Sequence, residues 1–443
     1  MSDPYEAIMS SELGNSFRNA RAVEIVRGMV ARGVAGEVEG ERAAVASAWA
    51  QVMGEFRFYS NRHVDIPTLY DACRAQIRER LGVGGRCFLL HDHSVVDYSG
   101  HNSKEDRIPV GDGRGRGYDL YTAFILDANG VPLGPLMQEL HTSKGVVGSE
   151  STSPKQFVGM IEQMEDSIDL SAKHLPASEI VDVADRGFDD VLLLRTMTRR
   201  SRRYVIRAQK MRRHVLWGGR KMAMQDVVDR VVLQRTGTVD HRGETFERWV
   251  GETTVTMDGR SWRGRHRGAK PQKGEPIDVR VVVAELRRAD GSRETQWALL
   301  TNLEDDADSV ARIYVWRWKI ERYFYLKKVG FQLETWTQID GERIARRLAL
   351  TSLAAMIIYE LQGHQSEPET AEAIRVIATM GGWLGRKRDP IGPIVLMRGM
   401  FLILSILEIL ETYDAAQLKQ IVETAGLGWL RRPPRPRRSS KEG

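Results

Sequence analysis

The chain reads as an α/β protein with helical segments at both ends, a mixed-sheet centre and a strand-rich insertion within that centre. Three observations predict this class. Apolar residues recur at helical spacing over 12–80 and again over 336–430. Between 81 and 207 the pattern switches between strand-like alternation and a helical period. Residues 208–294 are rich in Val, Thr, Arg and Gly, with runs such as TFERWVGETTVTM and IDVRVVVAEL. At 443 residues one compact core is not expected, and the divisions fall at 1–80, 81–207 with 295–335, 208–294, 336–430 and a basic tail, 431–443.

Composition is that of a soluble protein, 42% hydrophobic and 28% charged, and the net charge of +6 hides local segregation. From Val191 to Gln225 there is no Asp or Glu, while Arg and Lys occur eleven times. Similar runs recur at Arg260–Lys273 and Arg431–Lys441. Such patches predict a polyanion partner, because neutralising phosphates releases counterions; a solvated basic surface is the bland alternative. The two cysteines, Cys73 and Cys87, have neither CxxC nor Cys/His zinc spacing, which argues against a disulfide framework and fits a reducing cytoplasm. MSDPYEAIMSSE lacks a basic-then-apolar signal pattern, and Met400–Leu407 is too short to span a bilayer. There is no internal repeat, Walker loop or GxGxxG.

In chain order, Asn15 or Ser16 can cap a first helix with Phe17, Ala22, Val23, Val26, Met29 and Val30 on its apolar side. Arg18, Arg21, Arg27 and Arg32 lie on or beside the other side. A second helix is predicted from Glu41 to Phe56 and a third from Pro67 to Arg80. RCFLLHDHSVVDYS then reads as a strand on which Asp92 points away from His91 and His93. Two further runs join at Ala128-Asn129-Gly130, a hairpin signal. Phe157, Met160, Ile161, Met164 and Ile168 have helical spacing; EIVDVADRGFDD has a strand core ending at Asp185; RRYVIRAQ is a last strand. Strand, hairpin, helix, strand, turn or helix, strand is the order of a ribonuclease-H-like fold, which places Asp92 and Asp185 on adjacent strands.

YVWRWKIERYFYLKK, residues 314–328, has no Gly or Pro and follows the acidic start EDDADSVARI, so it reads as one helix. Tyr314, Arg317, Glu321 and Lys328 then share a stripe, and taken alone that is a solvated ion-pair ladder. Helices Ile344–Leu361, Glu369–Met380 and Ile394–Glu411 follow, with wide apolar faces that suit either a dimer contact or core packing.

Together these motifs carry a resemblance. Tyr-x2-Arg-x3-Glu-x6-Lys at 314–328, HDHSVVDY, VADRGFDD, LGNSFRNARAV with FRFYSNRHV, and GGWLGRKRDPIG resemble the DDE transposases of the insertion-sequence-four family, of the transposon-five type. The resemblance implies a ribonuclease-H-like catalytic core with a β-rich insertion, flanked by a helical end-binding N-terminal domain and a helical C-terminal dimerisation region. It implies that Asp92, Asp185 and Glu321 are the catalytic carboxylates and hold two Mg2+ ions, with Mn2+ able to substitute; hard oxygen donors suit such ions. The partners implied are double-stranded DNA, as transposon ends and target, and a second copy of the chain in a paired-end complex. The activity implied is end cleavage, through a hairpin, and joining of the freed 3′-OH to target DNA.

By the same resemblance Tyr314, Arg317 and Lys328 hold phosphates near the scissile bond, Trp297 in QWALLTNLE stacks on a flipped base, and Arg207 in YVIR lies beside it. Trp318, Arg322, Lys327, Arg18 and Arg21 are further candidate DNA contacts. Arg322 departs from the family, in which an acidic residue often follows the catalytic glutamate, and it is expected to add a cation beside the metal site. The competing readings are a DNA-binding regulator without catalysis, a nuclease that cuts without joining, and an assembly protein whose carboxylates are coincidental.

Overall fold

The computed structural model describes residues 8, 13, 16–32, 46–82, 84–241, 244–257, 260–261, 272–385 and 391–425. Asn15, the expected second-helix start at Glu41, the centre of the 260–273 run, residues 386–390 and the 431–443 tail lie outside them. Three helices open the chain: α1 (Ser16–Arg32), α2 (Ala46–Ser60) and α3 (Ile66–Leu81). Asp65 caps α3, accepting from the Thr68 amide, and Pro67 occupies the first turn, where no amide is needed.

The sheet begins with β1 (Arg86–Asp97), β2 (Ile108–Val110), β3 (Gly115–Leu126), β4 (Pro132–Thr142), β5 (Gly145–Gly148) and β6 (Ser151–Lys155). Helix α4 (Met160–His174), β7 (Glu179–Ala184), α5 (Val191–Arg199) and β8 (Arg203–Arg207) complete its centre. Then come β9 (His214–Trp217), β10 (Arg220–Ala223), α6 (Met224–Val228), β11 (Gln234–His241), β12 (Glu244–Met257), β13 (Arg260–Ser261), β14 (Gln272–Lys273), β15 (Ile277–Arg287) and β16 (Arg293–Thr301). The last part is helical: α7 (Ala307–Trp316), α8 (Trp318–Tyr325), α9 (Gly341–Gly363), α10 (Pro368–Met380), α11 (Pro393–Leu410) and α12 (Ala415–Thr424).

One large mixed sheet runs in the order β10-β9-β12-β15-β16-β8-β7-β1-β3-β4-β5-β6, with β11 on β12 and β2 on β3. Strand β1 pairs antiparallel with β3 and parallel with β7, and β7 pairs parallel with β8. The β3–β4 turn uses Asn129-Gly130: Asp127 accepts from the Asn129 and Val131 amides, and Gly130 takes a φ of +77° that glycine adopts without cost. Apart from β13 and β14, which pair only with each other, the strands of 208–294 do not form a separate sheet. Through β15 on β16 and β16 on β8 they extend the central one.

Three expectations change. Phe17 is 85% exposed, while Ala22, Val26 and Val30 supply the buried face of α1. Phe157 falls outside a helix, because 145–155 forms β5 and β6 and α4 starts only at Met160. The buried apolar residues also form one connected cluster from Ile8 to Met397 rather than several. Helix α9 is what joins the ends: Arg346 donates to the Val64 and Tyr59 carbonyls, at 2.8 and 3.1 Å, and so ties the α2–α3 connection to the C-terminal half. No helix among the described residues is long and apolar enough to cross a membrane, and both cysteines are buried and free.

Trp336, fully buried just before α9, is a keystone of this junction. Its indole N–H donates to the Phe331 carbonyl at 2.8 Å, the Arg347 guanidinium lies 4.5 Å from its ring, and Lys104 holds its carbonyl at 2.6 Å. Trp336→Ala is expected to cost about 3–5 kcal/mol. A urea midpoint within error of wild type would show that the junction does not depend on it.

Candidate active site

The alternation of β1 sends His91 and His93 to one face and Asp92 to the other. Fully buried His91 bridges the Tyr121 hydroxyl (2.8 Å) and the Asp182 carboxylate (2.9 Å), and Arg202 also pairs with Asp182. His93 contacts Asp119 at 3.1 Å through its ring. Leu90 pairs with Val183 and His91 with Ala184, so Asp185, the residue after β7, ends up beside Asp92. Asp185 opens the short 3-10 turn Arg186–Phe188, and Asp190 then caps α5 by accepting from the Leu192 and Leu193 amides.

The third carboxylate comes from the helical run capped by Asp306. It is not one regular helix. At Arg317 the hydrogen bonds tighten to i→i+3, from the Arg317 amide to the Tyr314 carbonyl and from Ile320 to Arg317, and residues 326–330 form a π turn. Such irregular turns are common at functional sites. Arg317 sits at the junction of α7 and α8, with one amino group 3.1 Å from Asp92 and the other 2.6 Å from Glu321. Its Nε is buried without a hydrogen-bond partner. The Tyr314 hydroxyl points at Asp185, 3.4 Å away.

Asp92, Asp185, Glu321, Arg317 and Lys328 thus border one open cleft of about 440 Å3, which Ser94, Phe324, Tyr325 and part of His93 also line. Among the described residues no three His, Cys, Asp or Glu side chains are gathered closely enough to hold a metal ion. The Arg317 guanidinium lies between Asp92 and Glu321. The donor set, three carboxylates open to solvent on one cleft, still suits a hard divalent ion.

The other candidates divide. Trp297 on β16 is half-buried with its ring 5.6 Å from Tyr314, and the charge of half-buried Arg207 reaches the same phenol. Trp318 is 41% exposed, with Arg317 5.3 Å from its ring. Lys328 bonds to Glu334 at 3.0 Å and to the Val95 carbonyl. Lys327, expected to contact DNA, is instead fully buried, and its amine donates to Leu348, Thr351 and Ser352 at 3.2, 2.8 and 2.9 Å. Its spacing of four and seven from buried Tyr323 and Ile320 is the signal for that placement. Arg322 does not add a cation at the carboxylates: it is exposed, and its charge acts on Lys319 and Tyr359. Arg18 donates to the Leu13 and His63 carbonyls and Arg21 pairs with Glu24; neither lines the cleft. Tyr325, four residues after Glu321 and 60% exposed, is a cleft residue that helical spacing alone could have found.

Burial raises the Asp92 carboxyl to about 6 despite the lowering influence of Arg317, and the charges of Glu321 and Asp185 push it the same way as burial. Burial likewise lifts the Tyr314 phenol to about 12, so it stays protonated at neutral pH. Because the Asp92 value is raised on folding, protons bind the folded state more tightly. Its contribution therefore favours folding less as pH climbs from about 4 to 6. Carboxyl NMR of the metal-free protein is expected to give an Asp92 midpoint of about 6, lower in Glu321→Gln and higher in Arg317→Met. A midpoint near the ordinary ~4 would remove burial as the dominant influence.

Among solved structures the chain is similar to the piggyBac transposase in a synaptic complex with hairpin DNA, at 10% identity and a TM-score of 0.36, covering 95% of this chain and 77% of the other. Residues 155–357, which contain Asp185 and Glu321 and begin after Asp92, match the family model described as a transposase DDE domain.

Proposed function

We propose that this chain is a cut-and-paste DDE transposase of the insertion-sequence-four type. It binds double-stranded DNA ends, cleaves them and joins the 3′-OH ends to target DNA from the cleft between Asp92, Asp185 and Glu321. The observation that carries this reading is the convergence of those carboxylates on one cleft with Arg317 between two of them. The match over residues 155–357 supports it. The order β4-β3-β1-β7-β8 supports reading the centre as ribonuclease-H-like, with 208–294 inserted between β8 and β16.

Asp92, Asp185 and Glu321 would hold two Mg2+ ions, or Mn2+, which supply activation of the attacking oxygen and stabilisation of the leaving 3′-oxygen. The chain's own groups do the positioning. Arg317 exchanges its carboxylate partners for a DNA phosphate, which its planar fork fits bidentately. Tyr314, protonated at neutral pH, acts as a hydrogen-bond donor beside Asp185. Lys328 offers a point charge at the cleft edge, and the half-buried ring of Trp297 with Arg207 beside it suits an unstacked base and its phosphate. A hairpin route makes use of that base position. Exposed Leu402, Ile406, Leu407 and Leu410 on α11 support pairing with a second copy. Metal binding needs the charged Asp92 carboxylate, so metal affinity is expected to fall as pH drops through about 6.

A strand-transfer assay with Mg2+ and the element's own ends tests the reading. Glu321→Gln is expected to bind ends normally yet lose cleavage and joining by more than about 100-fold, beyond the loss typical of outer-shell changes. Wild-type protein that binds ends and never cleaves them would leave a DNA-binding regulator. A paired comparison separates the two lysines in gel-shift titrations. Lys328→Ala is expected to weaken end binding and lower its salt slope by about one. Lys327→Met, which replaces a buried amine by an apolar group of similar length, is expected to leave both unchanged in the folded fraction.

A further inference from the structure

The acid-free stretch 191–225 is less bare in the fold than in the sequence. Arg200 pairs with Asp169, Arg202 with Asp182, Arg203 with Glu304 and Arg213 with Asp189, all from outside the stretch. Arg195, in the middle of α5, is different. It is only 8% exposed, its Nε and Nη2 are buried without a hydrogen-bond partner, and among the described residues no carboxylate lies within ion-pairing distance. A buried guanidinium left this way is costly, and such a group calls for a ligand.

The space for one is present. Arg195 lines a cleft of about 890 Å3 between α5 and the segment entering β15, separate from the catalytic cleft. Arg199 and Arg200 stand on the same cleft with the Thr196 hydroxyl, and the carboxylates on its wall are Glu165 and Glu275. Asp169 neutralises Arg200 at the edge. Gly274 faces the guanidinium so closely that a Cβ there would collide with it, so the glycine makes the room that Arg195 occupies.

We propose that this cleft is a second phosphate site, anchored by Arg195, which takes one backbone phosphodiester of bound DNA away from the cutting centre. A guanidinium fork recognises phosphate oxygens bidentately, and burial strengthens that pairing. The DNA assignment rests on the transposase reading. Helix α5 starts six residues after Asp185, and at 1.5 Å per residue Arg195 lies about 8 Å along it from its Asp190 cap. On the transposase reading, DNA seated in the catalytic cleft would extend towards this site.

The test uses the full chain, with Arg195→Met, which keeps the apolar stem, and Gly274→Ala, which keeps the arginine but displaces it. Inorganic phosphate is expected to raise the Tm of wild type and not of either variant. In phosphate-free buffer Arg195→Met is expected to melt above wild type, since it removes an unpaired buried charge. On end DNA, both variants are expected to lose about one from the salt slope of binding, with the cleavage rate at saturating DNA unchanged. Equal phosphate shifts in all three proteins would overturn the site. A phosphate response without a slope change would overturn the DNA assignment in favour of a free anion. A slope change in a protein that never cleaves would support the site while removing the transposase reading.

Discussion

Everything in the carboxylate cleft depends on the parallel pairing of β1 with β7. Two strands far apart in sequence meet in a register that brings Leu90 to Val183 and His91 to Ala184, so that the next residues on each, Asp92 and Asp185, emerge side by side. A parallel pair has no local hairpin to set it. The register is held instead by side chains: His91 on β1 bonds to Asp182 on β7, and Arg202 beside β8 locks the same carboxylate. A slip of one residue would turn Asp92 into the sheet's other face and His91 towards the cleft.

The same arrangement creates an electrostatic problem that Arg317 resolves. Three carboxylates around one half-buried cleft repel, and the raised Asp92 carboxyl records both the burial and the repulsion. The guanidinium satisfies two of the three. Because it sits where the helical hydrogen bonds tighten, its reach is set by an irregular backbone rather than by a regular turn. The cleft therefore holds its carboxylates around one guanidinium, which pairs with Asp92 and Glu321 and leaves Asp185 to the Tyr314 hydroxyl.

Much of this was legible from residue order. Alternation in HDHSV separates Asp92 from its histidine neighbours, and Asn129-Gly130 announces its turn. The i, i+3, i+7 spacing of Tyr314, Arg317 and Glu321 puts them on one stripe. What stayed hidden follows from interactions without local signature. The i→i+3 junction and the π turn depend on packing against β1 and α9, so a single straight helix was the natural expectation, and Lys327 looked like its exposed neighbour. The 191–225 stretch looked uniformly cationic because its acids, Asp169, Asp182, Asp189 and Glu304, lie inside and outside the flanking elements. The merging of 208–294 into the central sheet depends on the long-range β8–β16 pairing, which no short window contains.

The dependence of α1 and α3 on α9 has a consequence for how the chain is made. Those first helices bury their apolar faces against a partner that begins at Gly341. A ribosome adds roughly 5–20 residues per second, so the N-terminal helices wait on the order of tens of seconds before their cover is synthesised. During that interval the growing polypeptide displays Val26, Val30 and Leu69 to the surrounding solution, and Glu321 is added only near its end. The candidate cleft, which needs Glu321, therefore comes together at about the same stage of synthesis as the cover over the first helices.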